Sequence, residues 1–126
     1  MDYTVIAIIG FLLLLVDWAA FSVVCIIGSR PAAQRNAWSG IRIPSLMESD
    51  EAWIAGHKAA LYHVKMGSIA LLPPAAIAML FVSEAPVLIA GIQWVLAIAA
   101  LAWILVATSA AARAAKGVSS ASGRVS

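Results

Sequence analysis

The chain has 126 residues, of which 63% are hydrophobic and 11% are charged. This composition is too apolar for a soluble globular domain and is typical of an integral membrane protein. Since a membrane-spanning helix needs about 20 apolar residues, the length allows at most three or four spans and excludes a large extramembrane catalytic domain. The net charge of +2 is too small to indicate a nucleic-acid partner. The single cysteine, Cys25, excludes an internal disulfide and a cysteine metal cluster.

Three long apolar stretches predict three transmembrane helices, over residues 5–27, 57–82 and 87–110. The third is the clearest, because the segment 85–112 contains no charged residue. The runs do not alternate between apolar and polar residues, which excludes strands. The predicted fold is therefore all-α, with residues 1–126 forming one three-helix transmembrane domain.

The basic residues predict the orientation of the helices. Seven of the eight lie in or beside two segments, 28–56 and 113–126, which three spans place on the same side of the membrane: Arg30, Arg35, Arg42, Lys58, Arg113, Lys116 and Arg124. Because basic loops resist translocation, the N-terminus is expected outside, with the long loop 28–56 and the C-terminal segment in the cytoplasm. Residues 113–126 are rich in Ala, Ser and Gly, which predicts a frayed helix end that becomes a flexible tail.

One acidic residue, Asp17, lies inside the first predicted helix. An ionised carboxylate at this depth is costly and is expected to face away from lipid. At about 1.5 Å of rise per residue, Lys65 of the second helix lies at a similar depth, so a buried pair of Asp17 with Lys65, or with His63, is the preferred interpretation. A proton or ion relay through Asp17 is the alternative. In the same second helix, Pro73-Pro74 predict a kink and an interruption.

The loop between the first two helices carries the most specific pattern. It reads Asn36-Ala37-Trp38-Ser39-Gly40-Ile41-Arg42-Ile43-Pro44, then Asp50-Glu51-Ala52-Trp53 and Gly56-His57-Lys58. An asparagine, a Gly-Ile-Arg-x-Pro step, an acidic step, a tryptophan and a His-basic pair follow in the order found in the SdpI family of bacterial membrane proteins, which this chain resembles. Ile43 stands where that family usually has threonine. The motif residues with an expected role in partner contact are Asn36, Gly40, Arg42, Pro44, Asp50, Trp53 and His57.

The resemblance implies a function without catalysis. The founding member of the family is an immunity protein that protects its producer from a secreted peptide toxin and signals the toxin's presence by holding a repressor at the membrane. For this chain the resemblance implies a multi-pass, non-enzymatic protein of the bacterial cytoplasmic membrane. Its expected partners are the lipid bilayer and either another membrane protein or a peptide toxin. The family brings no catalytic residue, and the residues of the chain themselves predict no cofactor and no metal ligand.

The residues of the loop give an interpretation of their own. Gly40 permits a turn, and Pro44 favours extended geometry before it, which holds Arg42 at the membrane interface. Two roles stay open for Arg42: a clamp for phosphate or carboxylate, to which a planar guanidinium is suited, or an anchor to lipid headgroups and helix carbonyls.

A helix is predicted to start near Ser49 and to continue into the second span. On it Asp50, Trp53 and His57 lie on one stripe, which is expected to meet a single partner surface. Trp53 and the loop's other tryptophan, Trp38, are interpreted as interfacial belt residues. A metal site is not expected, because no histidine pair on this helix has a ligand spacing.

Two other function classes stay open. One is a small accessory subunit that stabilises a larger membrane complex, for which the alanine-rich third helix offers close helix contact. The other is an ion or lipid transporter, which would require an oligomer because three helices enclose little space.

Overall fold

The computed structural model describes residues 2–36 and 38–125. In that part of the chain it contains three α-helices and no strand: α1 (Tyr3–Gly28), α2 (Asp50–Met79) and α3 (Pro86–Val125). The all-α prediction is confirmed. α2 begins at Asp50, as predicted for the helix that starts near Ser49 and continues into the span, and α3 ends later than predicted.

Local chemistry accounts for where the helices begin. The Asp2 carboxylate accepts a hydrogen bond from the Thr4 N–H at 2.9 Å and caps α1. Ser49 does the same for α2 by accepting from the Ala52 N–H at 3.0 Å, as predicted from its position before two acidic residues. α3 begins at Pro86, whose fixed φ and missing N–H suit the first helical position.

Two of the helices in the described residues, α1 and α3, are long and apolar enough to cross a membrane. In the most apolar window of each, only 22% of the residues are buried, so most of that apolar surface faces outward, as lipid-facing surface does. α2 is less apolar, because its first turn is acidic and Lys58, Lys65 and a proline pair interrupt its apolar residues.

The chain divides into two compact units, and each helix contributes a segment to both. The first unit comprises Met1–Ala20 and Lys65–Trp103. Its buried residues include a small cluster of Ala7, Ile89 and Ala90. α2 runs through Pro73 and Pro74 without ending, so the predicted interruption is wrong. Directly after the prolines in the chain, the Ala75 carbonyl accepts a hydrogen bond from the buried Gln93 side-chain amide at 2.9 Å.

The second unit comprises Phe21–Val64 and Ile104–Ser126, and it contains the loop. The predicted flexible tail is helical up to Val125. Ala111 and Ala115 are fully buried, and the Ser119 hydroxyl donates to the Glu48 carboxylate. Alanine has the highest helix propensity, and its small side chain lets this segment pack closely, which accounts for the difference from the prediction.

Candidate functional site

The loop 29–49 is tied to the start of α2 by an ion pair. Arg35 donates to the Asp50 carboxylate from its backbone N–H at 3.2 Å and from Nε at 3.0 Å, and its Nη1 donates to the Met47 carbonyl at 2.7 Å. The Arg35 backbone N–H and guanidinium lower the pKa of Asp50. Arg35 was not among the predicted site residues, because a partner 15 positions away leaves no local pattern in the sequence.

His57 is the centre of the loop's interior. Its side chain is fully buried, and its Nε2 accepts a hydrogen bond from the Ile41 N–H at 3.0 Å. Because Nε2 must carry a lone pair, Nδ1 carries the proton and donates to the Trp53 carbonyl at 2.8 Å. The arrangement fixes a neutral ring in one tautomer. Burial lowers the pKa of His57, while the hydrogen bond to the Trp53 carbonyl acts in the opposite direction.

Two glycines bring the loop and α1 against this interior. A Cβ at Gly28 would lie 2.2 Å from the His57 ring, so only glycine lets the end of α1 approach so closely. Gly40 has a φ of +111°, a backbone conformation that residues with a Cβ rarely adopt. A Cβ at this position would also lie 2.2 Å from the Trp53 indole. Trp53 is 1% exposed and its ring centroid lies 4.4 Å from that of His57. It is therefore an interior residue, and the prediction of a membrane-belt role for it is wrong.

Asn36 organises the turn before Gly40. Its Oδ1 accepts hydrogen bonds from the backbone N–H groups of Trp38 at 3.0 Å and Ser39 at 2.7 Å. This asparagine turn projects Trp38 out of the loop, where its side chain is 95% exposed. Arg42 is exposed on the other side of Gly40. Within residues 2–36 and 38–125, the Arg42 guanidinium has no hydrogen-bond or ion-pair partner.

The predicted motif therefore divides into two groups. His57, Trp53 and Gly40 form or border the packed interior, whereas Arg42 and Pro44 are exposed and Asp50 is half-buried in its ion pair. The helical spacing correctly places Trp53 and His57 on one side of α2, but that side faces the loop of the same chain.

An open cavity of ≈ 360 Å³ lies beside this interior, in the second unit. Its apolar wall comes from α1 and α2, and the loop forms the rest of the lining. The lining residues are Val24, Ile27 and Gly28 of α1, Trp53 of α2, and Arg30, Ala32, Ala33, Gln34, Asn36, Ser39 and Gly40 of the loop. The volume lies in the range of small-molecule sites. The sequence predicted Asn36, Gly40 and Trp53 as site residues but not the cavity, because the cavity forms only when the end of α1 and the loop fold against α2.

The predicted intramembrane pair is not brought together. Asp17 and Lys65 both occupy exposed positions, and in the described part of the chain no ion pair joins them. The next residue, Trp18, takes the interior position of α1 and donates from Nε1 to the Ser68 hydroxyl at 2.9 Å. Among the described residues, no group of three or more His, Cys, Asp or Glu side chains could hold a metal ion.

A model of the SdpI/YfhL protein family matches residues 32–111, well over half of the chain. The chain belongs to the SdpI/YfhL protein family. No curated protein and no solved structure matches it. The matched range contains the whole motif from Asn36 to Lys58, so the family resemblance in the loop is confirmed, and it continues through α2 into α3. In this SdpI/YfhL chain the loop motif builds the His57 interior and the exposed turn beside it.

Proposed function

We propose that this chain is a non-enzymatic SdpI-type membrane protein that recognises another protein or a peptide at the membrane through the exposed turn of its loop. The observation that carries the proposal is the pairing of two large exposed side chains with a fixed backbone. The Trp38 N–H donates to Oδ1 of Asn36, two residues earlier. Arg42 directly follows Ile41, whose N–H donates to Nε2 of His57. Tryptophan and arginine are the side chains most enriched at the energetic centres of protein interfaces. Trp38 and Arg42 are called the recognition surface below.

The proposal includes a topology. α1, the part of α2 that follows Lys58, and α3 would cross the bacterial cytoplasmic membrane, with the N-terminus outside and the loop inside. His57 then belongs to the cytoplasmic loop interior and not to the second span. The basic residues of the loop and of the end of α3 support this orientation.

The topology is tested with reporter fusions. A reporter that is active only in the cytoplasm should be active when fused after Arg124 and inactive when fused at Asp2, because the basic segments resist translocation. A reporter active only outside the membrane, fused at the same two positions, serves as the control and should give the opposite pattern. Reversed activities would contradict the orientation.

The recognition surface is tested by affinity purification of the tagged protein in mild detergent. Trp38→Ala and Arg42→Gln should each reduce retention of the partner about tenfold or more, because truncating an interface hot spot costs about 2 kcal/mol or more. Melting temperatures should stay near that of the wild type, since both side chains are exposed. Arg113→Gln, an exposed basic residue of α3, is the matched control and should retain the partner.

The same experiment separates two roles for this surface. If the captured partner is a larger membrane protein in stoichiometric amount, the chain acts as an accessory subunit, a role favoured by the outward apolar surface of α1 and α3. If it is a peptide, and the two variants also lose protection against that peptide, the role is immunity. Full retention of the partner by both variants would contradict the recognition surface.

A further inference from the structure

The cavity beside the loop has a chemistry that the recognition surface does not explain. One side is apolar, with Val24, Ile27 and the Trp53 indole. The other side carries hydrogen-bonding groups and one cation, Arg30. No aspartate or glutamate lines it among the described residues. The cavity therefore suits a ligand with a negative group and a carbon skeleton.

Arg30 lies two residues after the end of α1, and its charge is not compensated. In the part of the chain that the structure describes, its guanidinium has no hydrogen-bond or ion-pair partner. The end of a helix normally disfavours an anion because its last carbonyls are unsatisfied. Here three of them are capped: Cys25 and Ile27 accept from the N–H groups of Ser29 and Arg30, and Ile26 accepts from the Ser29 hydroxyl. Arg30 is thus the dominant charge at this end of the cavity.

The amide side chains add donors. Asn36 already accepts through Oδ1 from the backbone N–H groups of Trp38 and Ser39, so Nδ2 is the atom that remains to bind a ligand, and it can only donate. Gln34 lines the same cavity with a second amide. A guanidinium and two amides can together donate to three separate oxygens, and a terminal phosphate group offers three, whereas a carboxylate offers two.

We propose that this cavity binds the phosphate group of a small anionic ligand, with Arg30 pairing with the phosphate, Gln34 and Asn36 donating to its oxygens, and Val24, Ile27 and Trp53 contacting the carbon skeleton. The phosphate has two possible sources, an anionic glycerophospholipid headgroup and a soluble phosphate ester. A volume of ≈ 360 Å³ holds a glycerol phosphate. The site is separate from the recognition surface, so either assignment can fail without the other.

The test uses the full-length protein in a neutral detergent, with dihexanoyl-phosphatidylglycerol and glycerol 3-phosphate as probes and dihexanoylglycerol as the uncharged counterpart. Binding is measured by native mass spectrometry and by titration calorimetry. At least one phosphate probe should bind saturably at one site per chain, and dihexanoylglycerol should not. Binding of the lipid alone identifies a headgroup site, and equal affinity for both phosphate probes identifies a site for soluble esters.

Arg30→Gln should weaken the bound phosphate probe at least tenfold, and Ser39→Phe, which places a large side chain in the cavity, should do the same by a different route. Arg113→Gln and Arg124→Gln make the same charge change at exposed positions outside the cavity and should leave the affinity within about twofold. The proposal is overturned if neither phosphate probe binds, if dihexanoylglycerol binds as well as they do, or if all three arginine variants weaken binding equally. Loss of partner capture in Arg42→Gln with phosphate binding intact would show that the two sites are independent.

Discussion

Replacement of Gly40 by alanine is expected to destabilise the protein by about 2–4 kcal/mol, the range for backbone strain combined with a steric clash. Both causes are present. The φ of +111° is unfavourable for alanine, and the added Cβ would lie 2.2 Å from Cζ2 and Cη2 of Trp53. Neither the indole nor the loop backbone can move away easily. The indole is packed against His57, and the Ile41 N–H next to Gly40 is hydrogen-bonded to the His57 ring. Thermal and denaturant unfolding in detergent measure the loss.

The matched control is Gly91→Ala on α3. Nothing lies within 4 Å of a Cβ built at Gly91, so the substitution should be neutral or stabilising by up to about 1 kcal/mol through helix propensity. A double variant separates the two causes at Gly40. Trp53→Phe removes the outer ring of the indole, so Gly40→Ala combined with it should lose less than the sum of the single changes, by about 0.5 kcal/mol or more. Strictly additive losses would show that the clash contributes nothing.

The second large effect concerns pH and His57. In the unfolded chain this histidine takes up a proton near pH 6.5, whereas the buried ring, whose pKa is lowered, resists protonation until the pH is lower. Stability should therefore be complete above about pH 6.5 and should fall as the pH decreases towards the folded-state pKa, by at most about 1.4 kcal/mol per pH unit. The physical reason is that a proton on Nε2 would face the Ile41 N–H, which is itself a donor.

Two substitutions divide the roles of the imidazole. His57→Phe keeps a ring against Trp53 but leaves the Ile41 N–H without an acceptor, which costs about 1–3 kcal/mol at pH 8. His57→Gln offers an acceptor again and should be the less destabilised of the two. Both should abolish the pH dependence between pH 5 and 7, while His63→Gln should retain it. A wild-type protein whose unfolding free energy does not change over this range would refute the neutral-ring assignment.

Local sequence patterns were sufficient for the helices and for part of the site. Runs of apolar residues predicted α1 and most of α3, and a serine before two acidic residues predicted the start of α2. A spacing of four residues placed Trp53 and His57 together. Each of these properties depends on residues close in the chain, for which periodicity and capping rules hold.

The remainder of the site depends on contacts between distant segments. His57 meets Ile41 and Gly28 because a loop and a helix end fold back onto α2, and no periodicity encodes that approach. Arg35 pairs with Asp50 for the same reason. Asp17 illustrates the opposite error: depth alone suggested a partner, but the neighbouring Trp18 occupies the interior position instead. When a tryptophan directly follows a charged residue in an apolar helix, the tryptophan is therefore as good a candidate for the buried position as the charged residue.

The length of α3 has a consequence for the proposed topology. Its 40 residues extend about 60 Å at 1.5 Å per residue, about twice the 30 Å thickness of a bilayer's hydrocarbon core. If α3 crosses the membrane as proposed, roughly half of it stands outside the lipid as an ordered rod. Truncation after residue 112 would then remove a structural support, because Ala115 and the bond between Ser119 and Glu48 would be lost with it. Tags are therefore better attached after Val125 through a linker than in place of this segment.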